Sequence, residues 1–164
     1  MLVYGITGWK NAGKTGCVER VVTELTARGY RVSTIKHAHH SVDVDHKGKD
    51  SYRHRMAGAH EVVLASDTRL AIMQEHRGAP PPKLEAILAR MSDVDIVIVE
   101  GFKRDSHPKI ECFRAQAGHQ LRAPEDQTIH AVATDTPVDC DVPQIDLNDT
   151  ARIVDFILAD LGIG

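Results

Sequence analysis

Gly8-Trp9-Lys10-Asn11-Ala12-Gly13-Lys14-Thr15 is the stretch that decides the fold, because it satisfies GxxxxGK[ST] at every fixed position. At average composition those four positions coincide by chance in roughly one chain in a few hundred of this length, so context has to confirm the match. Upstream, Leu2 to Thr7 is short, apolar and rich in β-formers, as expected of a strand buried on both faces. Downstream, from Lys14 to Arg28, Val18, Val21, Val22 and Leu25 fall at i, i+3, i+4 and i+7, with Gly29 placed as a C-terminal cap. Strand, glycine-rich loop and helix is the arrangement in which backbone N–H groups and a helix N-terminus converge on phosphate. Gly8, Asn11, Ala12, Gly13 and Gly16 are expected to line that concavity, Lys14 to reach the β/γ oxygens, and Thr15 to place its hydroxyl on Mg²⁺. Lys10 does not make this the variant loop with a signature lysine, since that lysine would replace Trp9.

Arg31 to His37 is the next expected strand, and strand, helix, strand in this order implies a right-handed parallel βαβ unit. Further strands are expected at Glu61–Ala65, Arg69–Gln74, Asp93–Val99, Lys109–Arg114 and Thr128–Thr134. Helices are expected after the Asp50-Ser51 cap, from Lys83 to Met91, and after a cap at Asn148, with Ile153, Phe156, Ile157 and Leu161 on one face. The fold class is therefore α/β: a mostly parallel twisted sheet with helices on both faces and some antiparallel edge strands. With 164 residues, no repeat and no compositional break, residues 1–164 are expected to form one phosphate-loop domain.

Composition narrows the ligand. Lysine and arginine total 20 against 23 acids, a formal net charge of −3, and aromatics make up only 4% of the chain. Such a surface is not built to track nucleic acid. The longest apolar runs, such as Ile96 to Val99, are far below the roughly 20 residues that span a bilayer, so no membrane association is expected. The amino terminus lacks a signal-peptide pattern, and three cysteines without CxxC fit a reducing cytoplasm.

Asp95 to Gly101 (DIVIVEG) is a buried strand ending in a carboxylate. Glu100 there would hold a water of the Mg²⁺ shell or polarise the attacking water, and Gly101 would leave room beside the γ-phosphate. The plain alternative is a capping acid at a strand end. Thr134-Asp135 closes the last strand. Guanine offers N1–H and N2–H₂ as adjacent donors that one carboxylate accepts together, so Asp135 favours GTP over ATP, although Thr-Asp before Thr-Pro is also ordinary turn chemistry.

Four of the ten histidines, His37, His39, His40 and His46, share one stretch with Asp43 and Asp45. Three readings stay open: a transition-metal site, for which no tetrahedral spacing is present; a contact segment beside the γ-phosphate, with Asp50 joining the Mg²⁺ shell; or a solvated loop.

GWKNAGKTG, IKHAHHSVDVDHKGKDSYRHRMAGA, DIVIVEGFKRD, KIECFR and HAVATD, in this order over residues 1 to about 135, resemble the molybdopterin-guanine dinucleotide biosynthesis adaptor family. The resemblance implies a homodimeric GTP-binding protein that turns GTP over slowly in the presence of Mg²⁺. It further implies a partner, the molybdopterin guanylyltransferase that attaches GMP to the molybdenum-bearing pterin, with other molybdenum cofactor enzymes or the molybdopterin itself as further contacts. Lys14, Glu100 and Asp50 would be the catalytic set, and Thr15, Glu100 and Asp50 the metal set. The nucleotide set would be Gly8, Asn11, Ala12, Gly13, Lys14, Thr15, Gly16, Gly101, Thr134 and Asp135. Two competing functions share the same loop: a small-molecule phosphotransferase with a lid drawn from Arg53, Arg55 and Arg69, and a metal-delivery GTPase using the histidines.

Overall fold

The structure is a computed structural model and describes residues 1–38 and 43–164. Its elements run β1 (Leu2–Thr7), α1 (Lys14–Ala27), β2 (Val32–Lys36), α2 (Asp50–Met56), β3 (Glu61–Ala65), β4 (Leu70–Gln74), α3 (Leu84–Leu88), β5 (Ile96–Glu100), β6 (Lys109–Phe113), β7 (Ile129–Thr134), β8 (Gln144–Asp146) and α4 (Thr150–Asp160). The backbone divides into two compact units, Met1–His37 with Met91–Gly164, and Ala38–Arg90.

The first unit is a six-stranded sheet in the order β2-β5-β1-β6-β7-β8. Every pairing in it is parallel. Both edges, β2 and β8, are therefore parallel strands, which corrects the expectation of antiparallel edges. Antiparallel pairing occurs instead in the separate β3–β4 hairpin of the second unit. β1 sits between β5 and β6, so side chains on both its faces are buried, in keeping with its unbroken apolar run.

One face of the sheet presents Tyr4, Ile6, Ile96, Ile98, Ile110, Cys112, Ala131 and Ala133 to Cys17, Val21 and Leu25 of α1 and Ile153, Val154 and Ile157 of α4. The opposite face over β6 and β7 is closed by a 3₁₀ turn, Ala123–Glu125, whose Ala123 packs with Ile129 and Val132. The α1 helix ends as Gly29 predicts. At φ +93°, that glycine donates to Thr26 O while Tyr30 N reaches Leu25 O, satisfying carbonyls that the last turn leaves open. α4 begins one residue later than expected: Asp149, not Asn148, is the N-cap, and its carboxylate accepts from Arg152 N at 3.1 Å.

The second unit is organised by Arg55. Its guanidinium meets Asp43 at 2.9 Å, Asp45 at 3.2 Å and Glu75 at 3.0 Å, and Ser51 Oγ donates to Asp45 at 2.8 Å. A cation shared among three carboxylates ties α2 to the chain just after β4 and to the chain before α2. No helix among the described residues is long and apolar enough to cross a membrane.

Candidate functional site

The parallel sheet places the carboxyl ends of β2, β5, β1, β6 and β7 along one edge, and ligands of open α/β sheets bind there. Gly8 leaves β1 at φ +137°, and a Cβ on it would lie 2.4 Å from Cys112 O of β6, so only glycine lets the loop depart beside that strand. Asn11 at φ +65° and Gly13 at φ +90° then curl the backbone into the start of α1. Gly13 is the N-cap and supplies no side chain, leaving the first N–H groups of α1, those of Lys14, Thr15 and Gly16, without a side-chain cap. An uncapped helix N-terminus behind a curled loop is an anion-binding concavity. Lys14 Nζ donates to Trp9 O at 2.6 Å, which holds the ammonium against the loop, and Ala12 of the loop is buried.

Glu100 stands at the end of β5, its side chain 12% exposed. Thr15 Oγ1 donates to its Oε1 at 3.5 Å, and Lys36 Nζ, at the end of β2, donates to Oε2 at 3.2 Å. A hydroxyl and a carboxylate, both oxygen donors of the kind that hard cations prefer, thus lie side by side at the loop. Gly101 has a steric reason that its motif does not reveal. At φ +105°, a Cβ on it would lie 2.7 Å from His37 Cβ, and His37 stacks on Phe102 with ring centres 4.6 Å apart.

Asp135 follows β7. Its Oδ1 accepts from Ala115 N at 3.4 Å and its Oδ2 lies 3.5 Å from Arg114 Nη1. The same arginine reaches the phosphate loop, since a Cβ on Gly13 would be 3.1 Å from Arg114 Nε. Arg114 is therefore the residue that sequence reasoning missed; read as the end of a strand, it carried no motif of its own. Thr134 is buried and its hydroxyl is used in its own turn, donating to Thr136 O at 2.6 Å and accepting from Thr136 N at 3.2 Å.

The first unit thus assembles Gly8, Asn11, Ala12, Gly13, Lys14, Thr15, Gly16, Glu100, Gly101, Thr134 and Asp135 on one sheet edge. Asp50 belongs to the second unit, where it opens α2 and pairs with Arg53 at 3.8 Å. Among the described residues no group of three or more His, Cys, Asp or Glu is placed to hold a metal ion, and His39 and His40 lie outside those residues. Arg55, nominated for a phosphotransferase lid, is occupied by its three carboxylates.

Sheet order, loop and helix together define a P-loop nucleotide-binding fold. The family model described as "Molybdopterin guanine dinucleotide synthesis protein B" matches residues 3–135, and the chain belongs to that family. It is 45% identical over 159 residues to the molybdopterin-guanine dinucleotide biosynthesis adapter protein of Haemophilus influenzae, covering 94% of this chain and 86% of the relative. With the Escherichia coli protein of the same name it shares 41% identity over 162 residues, 95% and 91% of the two chains. A crystal structure titled molybdopterin-guanine biosynthesis protein B superposes with a TM-score of 0.73 at 29% identity, covering 98% of this chain and all of that one. The Bacillus subtilis protein of the family shares the fold at a TM-score of 0.74 and 22% identity, with 98% of each chain covered.

Proposed function

We propose that the chain is a GTP-binding adapter in the biosynthesis of molybdopterin guanine dinucleotide, assisting the guanylyltransferase that joins GMP to the molybdenum-bearing pterin. The observation that carries this reading is the convergence of the uncapped N-terminus of α1, Lys14 and Asp135 on one sheet edge, within a family whose members bear that pathway's name. The loop N–H groups and Lys14 would hold the phosphates, and Asp135 would accept the two donors of guanine. Thr15 and Glu100 fit Mg²⁺, whose chemistry there would be to neutralise charge on the β/γ-phosphates. Glu100, fixed by Lys36, would orient the attacking water during slow turnover.

We also infer a homodimer. On the β3–β4 hairpin, Val63 lies opposite Ile72 and Ala65 opposite Leu70, and Val63, Leu70 and Ile72 are 53–63% exposed. An exposed apolar face of this kind suits a second copy of the chain. A cytoplasmic setting follows from the same role. The phosphotransferase alternative is disfavoured by the engagement of Arg55. Calorimetry of the full chain with GTP and ATP, with and without Mg²⁺, tests the nucleotide reading; rapid transfer of phosphate to a small acceptor overturns the adapter role. Retention of the guanylyltransferase by the immobilised chain with GTP, compared with retention without it, tests the partner.

A further inference from the structure

Beside the phosphate loop, in the same unit, lies a cavity of about 520 Å³ that none of the roles above uses. Its size is in the range of small-molecule sites. One wall is the indole of Trp9, held by a hydrogen bond from Nε1 to Gln120 O at 2.8 Å and by the His119 ring at 5.4 Å, yet still 38% exposed. Leu121 continues the apolar side.

The polar lining is of both signs and largely unspent. Lys103 Nζ stands 4.7 Å from the Trp9 ring centre, and neither it nor Arg104 makes an ion pair among the described residues. Arg122 gives one arm to Asp126 at 3.4 Å and lies 5.8 Å from the Trp9 ring centre, and its buried Nε has no acceptor among the described residues. Burial and the neighbouring charges of Arg122 and Lys14 lower the affinity of Lys103 for its proton, so an anion arriving there relieves an existing repulsion. The same cavity is lined by Asp105 and Glu125, whose carboxylates take no hydrogen bond or ion pair among the described residues.

An aromatic wall, the unpaired cations Lys103 and Arg104 and carboxylates without donors together suit a planar ring with a donor edge and an anionic tail. We propose that this cavity binds the phosphate monoester of a 2-amino-4-oxopyrimidine-fused ring. The ring would lie on Trp9, its N–H and amino edge would face Asp105 or Glu125, and its phosphate would be held by Lys103, Arg104 and Arg122. Lys103 would exchange the indole face for the phosphate, a stronger charge-assisted contact. Both pterin phosphates and guanine mononucleotides carry this chemistry. The inference rests on the adapter reading only in that it makes the second ligand a reactant or product of the reaction being assisted.

Trp9 is the single tryptophan of the chain, so its fluorescence reports the cavity directly. The experiment titrates the full-length Lys14→Ala chain, in which the phosphate loop is disabled, with 6-hydroxymethylpterin monophosphate and separately with GMP; the wild-type chain preloaded with a non-hydrolysable GTP analogue provides the same measurement if that variant does not fold. Saturable quenching is expected, weakened about tenfold or more in Lys103→Ala/Arg104→Ala, and weakened also in Asp105→Asn/Glu125→Gln. Saturation by the pterin phosphate alone assigns the pterin as the source, and equal saturation by GMP assigns a second guanine site. The proposal is overturned if neither probe saturates, if 6-hydroxymethylpterin without its phosphate binds equally well, or if the lysine–arginine variant is unaffected. A wild-type chain that fails to bind GTP in calorimetry would overturn the adapter reading instead, and leaves the fluorescence result standing.

Discussion

Arg114 and Asp135 face each other across the ends of β6 and β7 at 3.5 Å, and the arginine at the same time lies against Gly13 of the phosphate loop. The pair joins the loop that would hold the phosphates to the carboxylate that would read the base. Asp135→Asn, which cannot accept from two donors together, should cut the preference for GTP over ATP by about tenfold to a hundredfold, roughly 1.4 to 2.7 kcal/mol. Competition calorimetry measures the ratio, and an unchanged ratio places base reading elsewhere. Arg114→Ala should weaken GTP binding with a smaller loss of base preference.

Lys14→Ala should abolish nucleotide binding, by about a hundredfold or more, because it deletes the only side-chain cation in the loop motif's phosphate-contact position. Stability in urea should change by less than about 1 kcal/mol, since Lys14 Nζ makes a single hydrogen bond to a main-chain oxygen. Retained GTP affinity in this variant removes the loop from the mechanism.

Gly8→Ala should act on stability as well as on binding. Its Cβ would arrive 2.4 Å from Cys112 O at a backbone angle that L-residues avoid, so β1 or β6 must shift. A loss of about 2 to 4 kcal/mol is expected, read as a lower unfolding midpoint in urea.

Ile72→Glu should place a charge in the exposed apolar face of the β3–β4 hairpin. Light scattering should report a dimer for the unaltered chain and a monomer for this variant, with nucleotide affinity intact. A variant that stays dimeric moves the interface off this hairpin.

His107 introduces a pH dependence. Burial, then the adjacent Lys109, pushes its imidazole from 6.5 down to about 4, outweighing the opposite pull of Asp105 and Asp126. Both ring nitrogens are buried without partners among the described residues, and Nε2 sits 2.7 Å from where a Cβ on Gly5 would be. Protonation therefore favours the unfolded chain: the stabilisation is complete above pH 6.5 and is lost as pH falls from there towards 4. The thermal midpoint should drop over that interval, and His107→Gln should flatten the drop.

Much of the sheet unit was legible because its signals are local. The apolar run 2–7 and the glycines of the loop are fixed by the backbone conformation they must adopt, and the α1 stripe together with Gly29 marks both ends of that helix. The boundaries moved where a side chain is engaged outside the ladder. Asp95, read as part of β5, instead accepts from Arg31 N at 2.7 Å just before that strand begins. β8 escaped notice because three residues, Gln144–Asp146, are too short for a period.

What could not be read is long-range pairing of polar groups. Lys109 looked like the polar first residue of a strand, yet it is fully buried, its ammonium shared among the main-chain oxygens of Asp105 and His107 and the hydroxyl of Thr128. Glu111 is likewise buried, accepting from Arg122 N and Ala123 N. Arg55 and Arg114 find their carboxylate partners outside their own elements, at Asp43, Asp45, Glu75 and Asp135, and nothing in the spacing marks the choice. The Lys36–Glu100 pair arises because β2 and β5 are neighbours, a fact of sheet order alone.

Sheet order has a kinetic side. β1 is the first strand made, but its neighbours β5 and β6 begin at Ile96 and Lys109. On a ribosome, the residues of the phosphate loop are synthesised well before their supporting strands and remain without them until Ile96–Phe113 have emerged. Nucleotide capture during synthesis should therefore begin abruptly, after Phe113 clears the exit tunnel, and a chain arrested before that point should bind none. The ligand would act on strands already paired, β5-β1-β6, rather than as a nucleus for their pairing.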